Sequence, residues 1–230
     1  MNDSKHLWQS VVQDYQKTPI EMGEYTSYQY QIDPKHLCFV LSRYKFCASM
    51  LKGLDTVVEI GSGDGFASPI VANEVGRLIC LDIDDVILES NQSRFASFDN
   101  ISFDYFDFRK SPYTSLVDGI YLVDVIEHLY ANEESIFMSH MVQSLKRTGI
   151  AIIGTPNEKA NQYASQGSRE AHVNMKSHET LIELGRTYFD NVFLFGMNDE
   201  VLHTGFPQMC HYLWILCAAP KHASTSFLVE

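Results

Sequence analysis

The chain has 230 residues, room for one domain with a sizeable core and a small appendage. Its hydrophobic share of 45% and charged share of 20% exclude disordered and fibrous classes. A net charge of −12 counts against a general DNA or RNA backbone binder and against electrostatic docking on an anionic membrane.

In chain order, residues 4–17 carry Leu7, Val11, Val12 and Tyr15 at helical spacing, with Ser4 placed to cap them. Pro19 and Gly23 break the chain, and residues 24–33 cluster Tyr25, Tyr28 and Tyr30. Residues 34–51 read as a second helix, opened by Pro34 and stopped by Gly53. From Thr56 the pattern alternates. Strands are expected at 56–60, 77–83, 101–107, 119–124 and 150–155, with helices at 66–75, 84–96 and 132–147. In the last helix Ile136, Phe137, Met141 and Leu145 share a face, and Lys146-Arg147 suit its C-terminus. Asp84 and Asp85 suit the cap of the helix they open. Apolar runs of strand length alternating with helices imply βαβ units and a parallel sheet.

Residues 157–176 form a polar stretch without a clear period, of a length that is usually functional or disordered. A helix at 177–189 follows, with Ser177 as N-cap and Thr180 where Glu would complete a capping box. Strand-like runs at 191–197 and 211–219 suit an antiparallel pair at the sheet edge, with Trp214 in the core. The expected fold is therefore α/β: Rossmann-like and doubly wound, with a mostly parallel seven-stranded sheet, an antiparallel C-terminal edge pair and an N-terminal helical cap. Residues 1–53 are the cap, 54–156 the central core and 157–230 an acceptor-side loop with the terminal strands, all within one domain over 1–230. The five cysteines, with no CxxC spacing, suggest neither a disulfide framework nor a zinc knuckle, and Cys80 reads as core. The start lacks a signal-peptide pattern and no apolar run reaches membrane-spanning length, so a cytoplasmic setting is expected. Nothing in the sequence sets the oligomeric state.

The stretch VVEIGSGDGFASPI, residues 57–70, places Gly61, Gly63 and Gly65 on alternate positions after a β-branched run. A dinucleotide loop would put its third glycine at position 66, which is Phe66. No Gly-Lys-Ser/Thr follows, so a P-loop fails as well. Glycines by themselves also suit a βα turn that binds nothing. Carboxylates at strand ends, Glu59, Asp82 and Asp107, favour a ligand.

The Glu-x-Gly-x-Gly-x-Gly motif resembles motif I of the class I S-adenosylmethionine-dependent methyltransferases. The resemblance runs from about Thr56 to Pro156 and points to the ubiquinone-pathway O-methyltransferases and to the type 11 methyltransferases. It implies S-adenosylmethionine as cofactor, with Glu59, Gly61, Ser62 and Gly63 around its methionine part. Asp82, with Ile83, falls where the family places an acid on the ribose hydroxyls. Asp107 and Phe108 fall where it contacts adenine, and Asp124 and Val125 belong to its fourth motif. The family's Leu-Lys-Pro-Gly-Gly turn departs to Leu145-Lys-Arg147-Thr148-Gly149.

Asp124-Val-Ile-Glu127-His128, then Thr155-Pro-Asn157, then His172, is similar to two groups of relatives: the quinone-pathway enzymes and the small-RNA 3′-terminal 2′-O-methyltransferases. Both associate a divalent metal with these positions. Glu127, His128 and His172 are therefore the candidate catalytic residues and candidate metal ligands, with Asp124 a conceivable fourth. The RNA enzymes carry a second histidine where Leu129 stands. The acidic balance also disfavours RNA, and no basic amphipathic helix suggests a membrane substrate. The expected acceptor is a soluble polar small molecule, such as a sugar or nucleotide-sugar, methylated on oxygen. Alternatives are an RNA 2′-O-methyltransferase and a cofactor-binding regulator without transferase activity. The glycine spacing counts against a nicotinamide oxidoreductase. Tyr25, Tyr28 and Tyr30 suit either a lid over a cationic sulfonium or plain packing. His203 and His211 flank a loop placed to reach the acceptor, though each reads first as structural.

Overall fold

The computed structural model describes residues 4–222. The expected domain limits at 1 and 230 lie in terminal residues outside this range. Eight helices and eight strands alternate along most of it: α1 (Ser4–Lys17), α2 (Glu24–Ile32), α3 (His36–Leu51), β1 (Thr56–Ile60), α4 (Ser68–Ala72), β2 (Arg77–Asp82), α5 (Asp85–Arg94), β3 (Ile101–Tyr105), β4 (Val117–Val123), α6 (Ala131–Gln143), β5 (Leu145–Pro156), α7 (Gln166–Ala171), α8 (His178–Tyr188), β6 (Phe189–Asn198), β7 (Val201–His203) and β8 (Tyr212–Pro220). They build one sheet of order β3-β2-β1-β4-β5-β8-β6-β7. Strands β1 to β5 pair in parallel; β8 runs antiparallel between β5 and β6. The sheet has eight strands rather than the expected seven, because Val201–His203 folds back on β6 as a short edge strand.

Parallel strands covered on both faces need apolar side chains pointing both ways. Val57, Val58, Leu78, Ile79, Ile120 and Leu122 are all buried, and they divide between two clusters. One face packs Phe137, Met138 and Met141 of α6 and Leu181 of α8. The other packs Phe46, Cys47 and Leu51 of α3, Val71 of α4 and Leu88 of α5. Cys80 and Trp214 are core residues. The chain reverses direction across the sheet between β1 and β4, so their carboxyl ends open a crevice there.

Several expectations are corrected. Residues 24–32 are helical, although α2 buries no residue. The amphipathic α1 also buries none. Lys146 and Arg147 belong to β5, where Lys146 pairs with Asp118 at 2.8 Å, rather than to a helix end. Ile136 is exposed, because the buried face of α6 runs through Phe137, Met138, Met141 and Val142. The stretch 157–176 is ordered into a 3-10 turn (Glu158–Tyr163) and α7, capped by the side chains of Asn157 and Ser165. Lys176 is buried and pairs with Glu134, tying this stretch to α6. Asp84 caps α5, accepting from the Val86 and Ile87 amides, and Ser177 with Thr180 completes a capping box on α8. Among the described residues no helix is long and apolar enough to cross a membrane.

Candidate active site

A cleft of about 280 Å³ opens beyond the carboxyl ends of β1, β2 and β4. Its floor is the glycine loop. Gly61 has φ +73° and Gly63 φ +51°, conformations that favour glycine. A Cβ on Gly61 would stand 2.4 Å from Cγ2 of Val125; one on Gly63 would meet open space. Gly61 thus lets two loops touch, and Gly63 leaves backbone bare to the cleft. Asp82 ties the loop to β2. Its Oδ2 accepts from the Gly63 amide at 2.9 Å, and its Oδ1 from the amides of Ile83 (2.7 Å) and Asp84 (3.2 Å). Asn91 of α5 donates to the Gly63 carbonyl at 2.7 Å.

Asp82, Ile83, Asp107, Asp124, Val125 and His128 all line the cleft with Gly61 and Gly63. Five other residues singled out in the sequence do not: Glu127 and His172 lie beside it, and Glu59, Ser62 and Phe108 lie beneath or away from it. Glu59 is buried beneath the loop, where it accepts from Tyr44 and Ser68 (each 2.6 Å) and from the Cys80 thiol (3.3 Å). Burial raises its pKa, and the hydroxyl donors pull it back. Glu59 therefore braces α3 and α4 against β1. Ser62 is buried, with its hydroxyl unpaired among protein atoms. Phe108 packs into the core against Phe106 (4.8 Å between centroids) and Phe137 (5.9 Å), and it is the Phe106 ring that reaches the cleft. Asp107 is held by the Arg109 guanidinium at 2.9 and 3.0 Å. Those hydrogen bonds keep its carboxyl below the usual aspartate range.

At the other wall, Asp124 sits at φ +57°, an uncommon conformation for a non-glycine residue. Its Oδ2 accepts from Arg43 of α3 at 2.6 Å, while its buried Oδ1 has no protein partner. The Arg43 guanidinium stacks 4.0 Å from the Tyr212 ring centroid. Three residues on, Glu127 is buried within a 3-10 turn, Ile126–His128. Thr155 donates to its Oε2 at 3.0 Å, and its Oε1 is unpaired. Burial, then the neighbouring Asp124 charge, pushes its pKa up to about 8.

His172 is brought to the same place by the end of α7. The rings of His128 and His172 lie 5.1 Å apart, and one ligand atom from each of Glu127, His128 and His172 falls within 4.8 Å of the others. His128 Nδ1 lies 3.1 Å from the Ala171 carbonyl. A carbonyl only accepts, so Nδ1 carries a proton, and in the neutral tautomer Nε2 keeps the lone pair. Burial and the adjacent His128 lower the pKa of His172, favouring the neutral ring. A carboxylate with two imidazoles is a donor set that suits first-row divalent ions.

The three residues associated by resemblance thus converge, although 44 positions separate His128 from His172 in sequence. Sequence reasoning missed Arg43, Tyr44 and Ser68, and named Thr155 only as part of a motif. Arg43, a cation inside an apolar helical run, was the one with a signal to follow.

An open parallel sheet with a glycine loop after β1 and an acid ending β2 defines a nucleoside-cofactor fold of the class I methyltransferase type. Residues 58–153 match the family described as "Methyltransferase domain". A curated protein of Mycolicibacterium smegmatis (strain ATCC 700084 / mc(2)155), described as a probable S-adenosylmethionine-dependent methyltransferase, is 28% identical over 115 residues. That match covers 50% of this chain and 42% of the relative, so it spans less than half the relative's length. Among solved structures, the methyltransferase domain of bacterial CtHen1 superposes with a TM-score of 0.66 at 15% identity, covering 80% of this chain and all of that one. A putative methyltransferase bound to the Haloferax volcanii Trm112 activator gives 0.66 at 18%, covering 86% and 96%. The N-methyltransferase NodS of Bradyrhizobium japonicum, in complex with S-adenosyl-L-homocysteine, gives 0.61 at 17%, covering 90% and 98%. Residues 58–153 carry the match to that family, and the fold around them is the one these methyltransferase structures share.

Proposed function

We propose that the protein methylates a hydroxyl oxygen of a small polar acceptor, such as a sugar, a nucleotide-sugar or another polar metabolite. The observation that carries this reading is the convergence of Glu127, His128 and His172 beside the cleft. Binding the cofactor alone does not call for these groups. Asp82, Asp107, Gly61 and Gly63 bind the nucleoside and methionine parts, with Asp124 on the opposite wall of the cleft. His128 Nε2 accepts the acceptor's proton as its oxygen bonds to the methyl carbon and the carbon–sulfur bond breaks. The sulfur leaves as the neutral thioether of S-adenosylhomocysteine. Positioning of donor and acceptor supplies much of the rate in such a displacement. The net charge of −12 supports a small molecule over RNA as acceptor. The cap, core and terminal strands act as one unit, since α3 reaches Asp124 and β8 packs beside β5.

The same three groups fit a divalent ion, because Glu127 Oε1 and His172 Nδ1 are buried without partners. Glu127, His128 and His172 would hold it, and it would stabilise the acceptor's developing oxyanion. A panel of sugars, nucleotide-sugars and hydroxy acids, assayed for S-adenosylhomocysteine release, tests the acceptor class. Repeating the productive reaction after chelation, then with Mg²⁺, Mn²⁺ or Zn²⁺ restored, tests the ion. Full activity without metal would leave His128 as an unassisted base. Turnover of RNA but none of the small molecules would overturn the acceptor class.

A further inference from the structure

Helix α2 has nine residues and buries none of them. A helix this short is marginal in water without tertiary support. Its own N-cap, Gly23, offers no side-chain acceptor for the free amides of the first turn. That acceptor comes instead from 38 residues away, on the glycine loop. Oδ2 of Asp64 accepts from the Thr26 amide at 2.7 Å, and its Oδ1 accepts from the Thr26 hydroxyl at 2.9 Å. The Asp64 carboxylate therefore caps α2 from outside, with its charge at the favourable end of the helix dipole.

Two further ties act at the same point. Arg94 of α5 donates from Nη2 to the Asp64 carbonyl at 2.6 Å and from Nη1 to the Glu21 carbonyl at 3.4 Å, clamping loop and strap together. Gly23 is buried against Asp64 so closely that a Cβ there would stand 2.3 Å from Asp64 Cβ. Polar ties to the Asp64 side chain and to its carbonyl thus join residues 18–32 to the glycine loop. Asp64 lies between Gly63, whose amide and carbonyl are fixed by Asp82 and Asn91, and Gly65. Whatever settles that loop settles the cap of α2.

We propose that Asp64 is a latch coupling occupation of the cofactor cleft to closure of the N-terminal strap. With the cofactor bound, the loop holds Asp64 in register with Thr26, and α2 stays wound against it. With the cleft empty, the loop relaxes and α2 frays from its cap. By reciprocity, a closed strap raises cofactor affinity by the factor by which cofactor closes the strap. The inference rests on the cleft being the cofactor site.

Hydrogen exchange of the whole chain, with and without saturating S-adenosylhomocysteine, reads the coupling. Calorimetric binding of the same ligand is the control for the site itself. In the parent, ligand should slow exchange across 24–32 well beyond its effect on α8. Asp64→Ala should speed exchange in α2 by roughly 2- to 30-fold, the range a lost N-cap gives. Gly23→Ala pries the latch apart from outside the cleft, at an ordinary negative φ. It should uncouple α2 from ligand while circular dichroism and the exchange of β1 stay unchanged, and it should weaken binding by the coupling factor. If the ligand binds the parent but leaves exchange in α2 unchanged, the latch is wrong. It is also wrong if Gly23→Ala retains full ligand-induced protection. If no ligand binds the parent at all, the cofactor site is what fails.

Discussion

Replacing Asp82 by alanine tests the centre of the cofactor reading. Its Oδ2 holds the Gly63 amide, and its Oδ1 holds the amides of Ile83 and Asp84. Oδ2, with one accepted bond, keeps a lone pair for a ribose hydroxyl, whereas Oδ1 already accepts two. Those amides border the open cleft, where water can replace the carboxylate, so the loop itself should lose little. The hydroxyls of a bound nucleoside would lose charge-assisted bonds worth roughly 1.5–3 kcal/mol. Affinity for S-adenosylhomocysteine should fall about 10- to 150-fold. Calorimetry gives the affinity, and circular dichroism with thermal melting confirms the fold. A 2′-deoxyribose analogue completes a cycle: the parent should lose affinity for it, and Asp82→Ala should barely distinguish the two ligands. A folded variant that binds S-adenosylhomocysteine within about twofold of the parent would refute the placement, judged against the same range. Fully additive losses would show that the carboxylate supports the loop without touching the 2′-hydroxyl.

Gly61→Ala should abolish binding and lower the melting temperature, since its Cβ meets Val125 at 2.4 Å. Gly63→Ala meets no neighbour but keeps the strain of its φ of +51°, so it should cost less stability than Gly61→Ala while still losing affinity. The opposite ranking of the two melting temperatures would contradict the loop geometry. Asp107, held below its ordinary range by Arg109, stabilises the fold above the unfolded aspartate pKa, and that contribution is lost as pH falls through the folded value. Arg109→Met should therefore reduce stability at neutral pH and cease to matter in strong acid, as denaturant melts across pH would show.

The parallel core was legible because buried strands are apolar on both faces, and Val57–Val58 and Leu78–Ile79 are. The site was legible where chemistry follows a strand end: Gly61, Asp82 and Asp124 stand there whatever the helices do. What escaped depends on partners far along the chain. Residues 24–32 look like a tyrosine cluster because the group that caps the helix, Asp64, lies in another motif. The stretch 157–176 lacks a period because it is fixed by the Lys176–Glu134 pair and by the Asn174 amide donating to the Glu127 carbonyl, not by an apolar face. Phe106 and Phe108 differ by two positions, and only the turn after β3 decides which ring meets the cleft.

Five carboxylates, Glu59, Asp82, Asp107, Asp124 and Glu127, gather within or beneath one cleft, and unpaired charges so close together would repel. Four are answered within the protein. Hydroxyls and a thiol surround Glu59, backbone amides hold Asp82, Arg109 grips Asp107 and Arg43 grips Asp124. Glu127 has a single hydroxyl, from Thr155, and a buried oxygen with no partner, so its ionisation waits until about pH 8. A buried carboxyl left this way is costly unless something completes it. What stands opposite are two imidazoles: His128, with its Nε2 lone pair free, and His172, with its Nδ1 unpaired. Imidazole lone pairs supply no positive charge. A cation from solution would, releasing the carboxyl's proton as it binds. It would come to rest beside the cleft where the methyl group is expected, so the polar group the fold leaves unanswered is the one a bound ion would use.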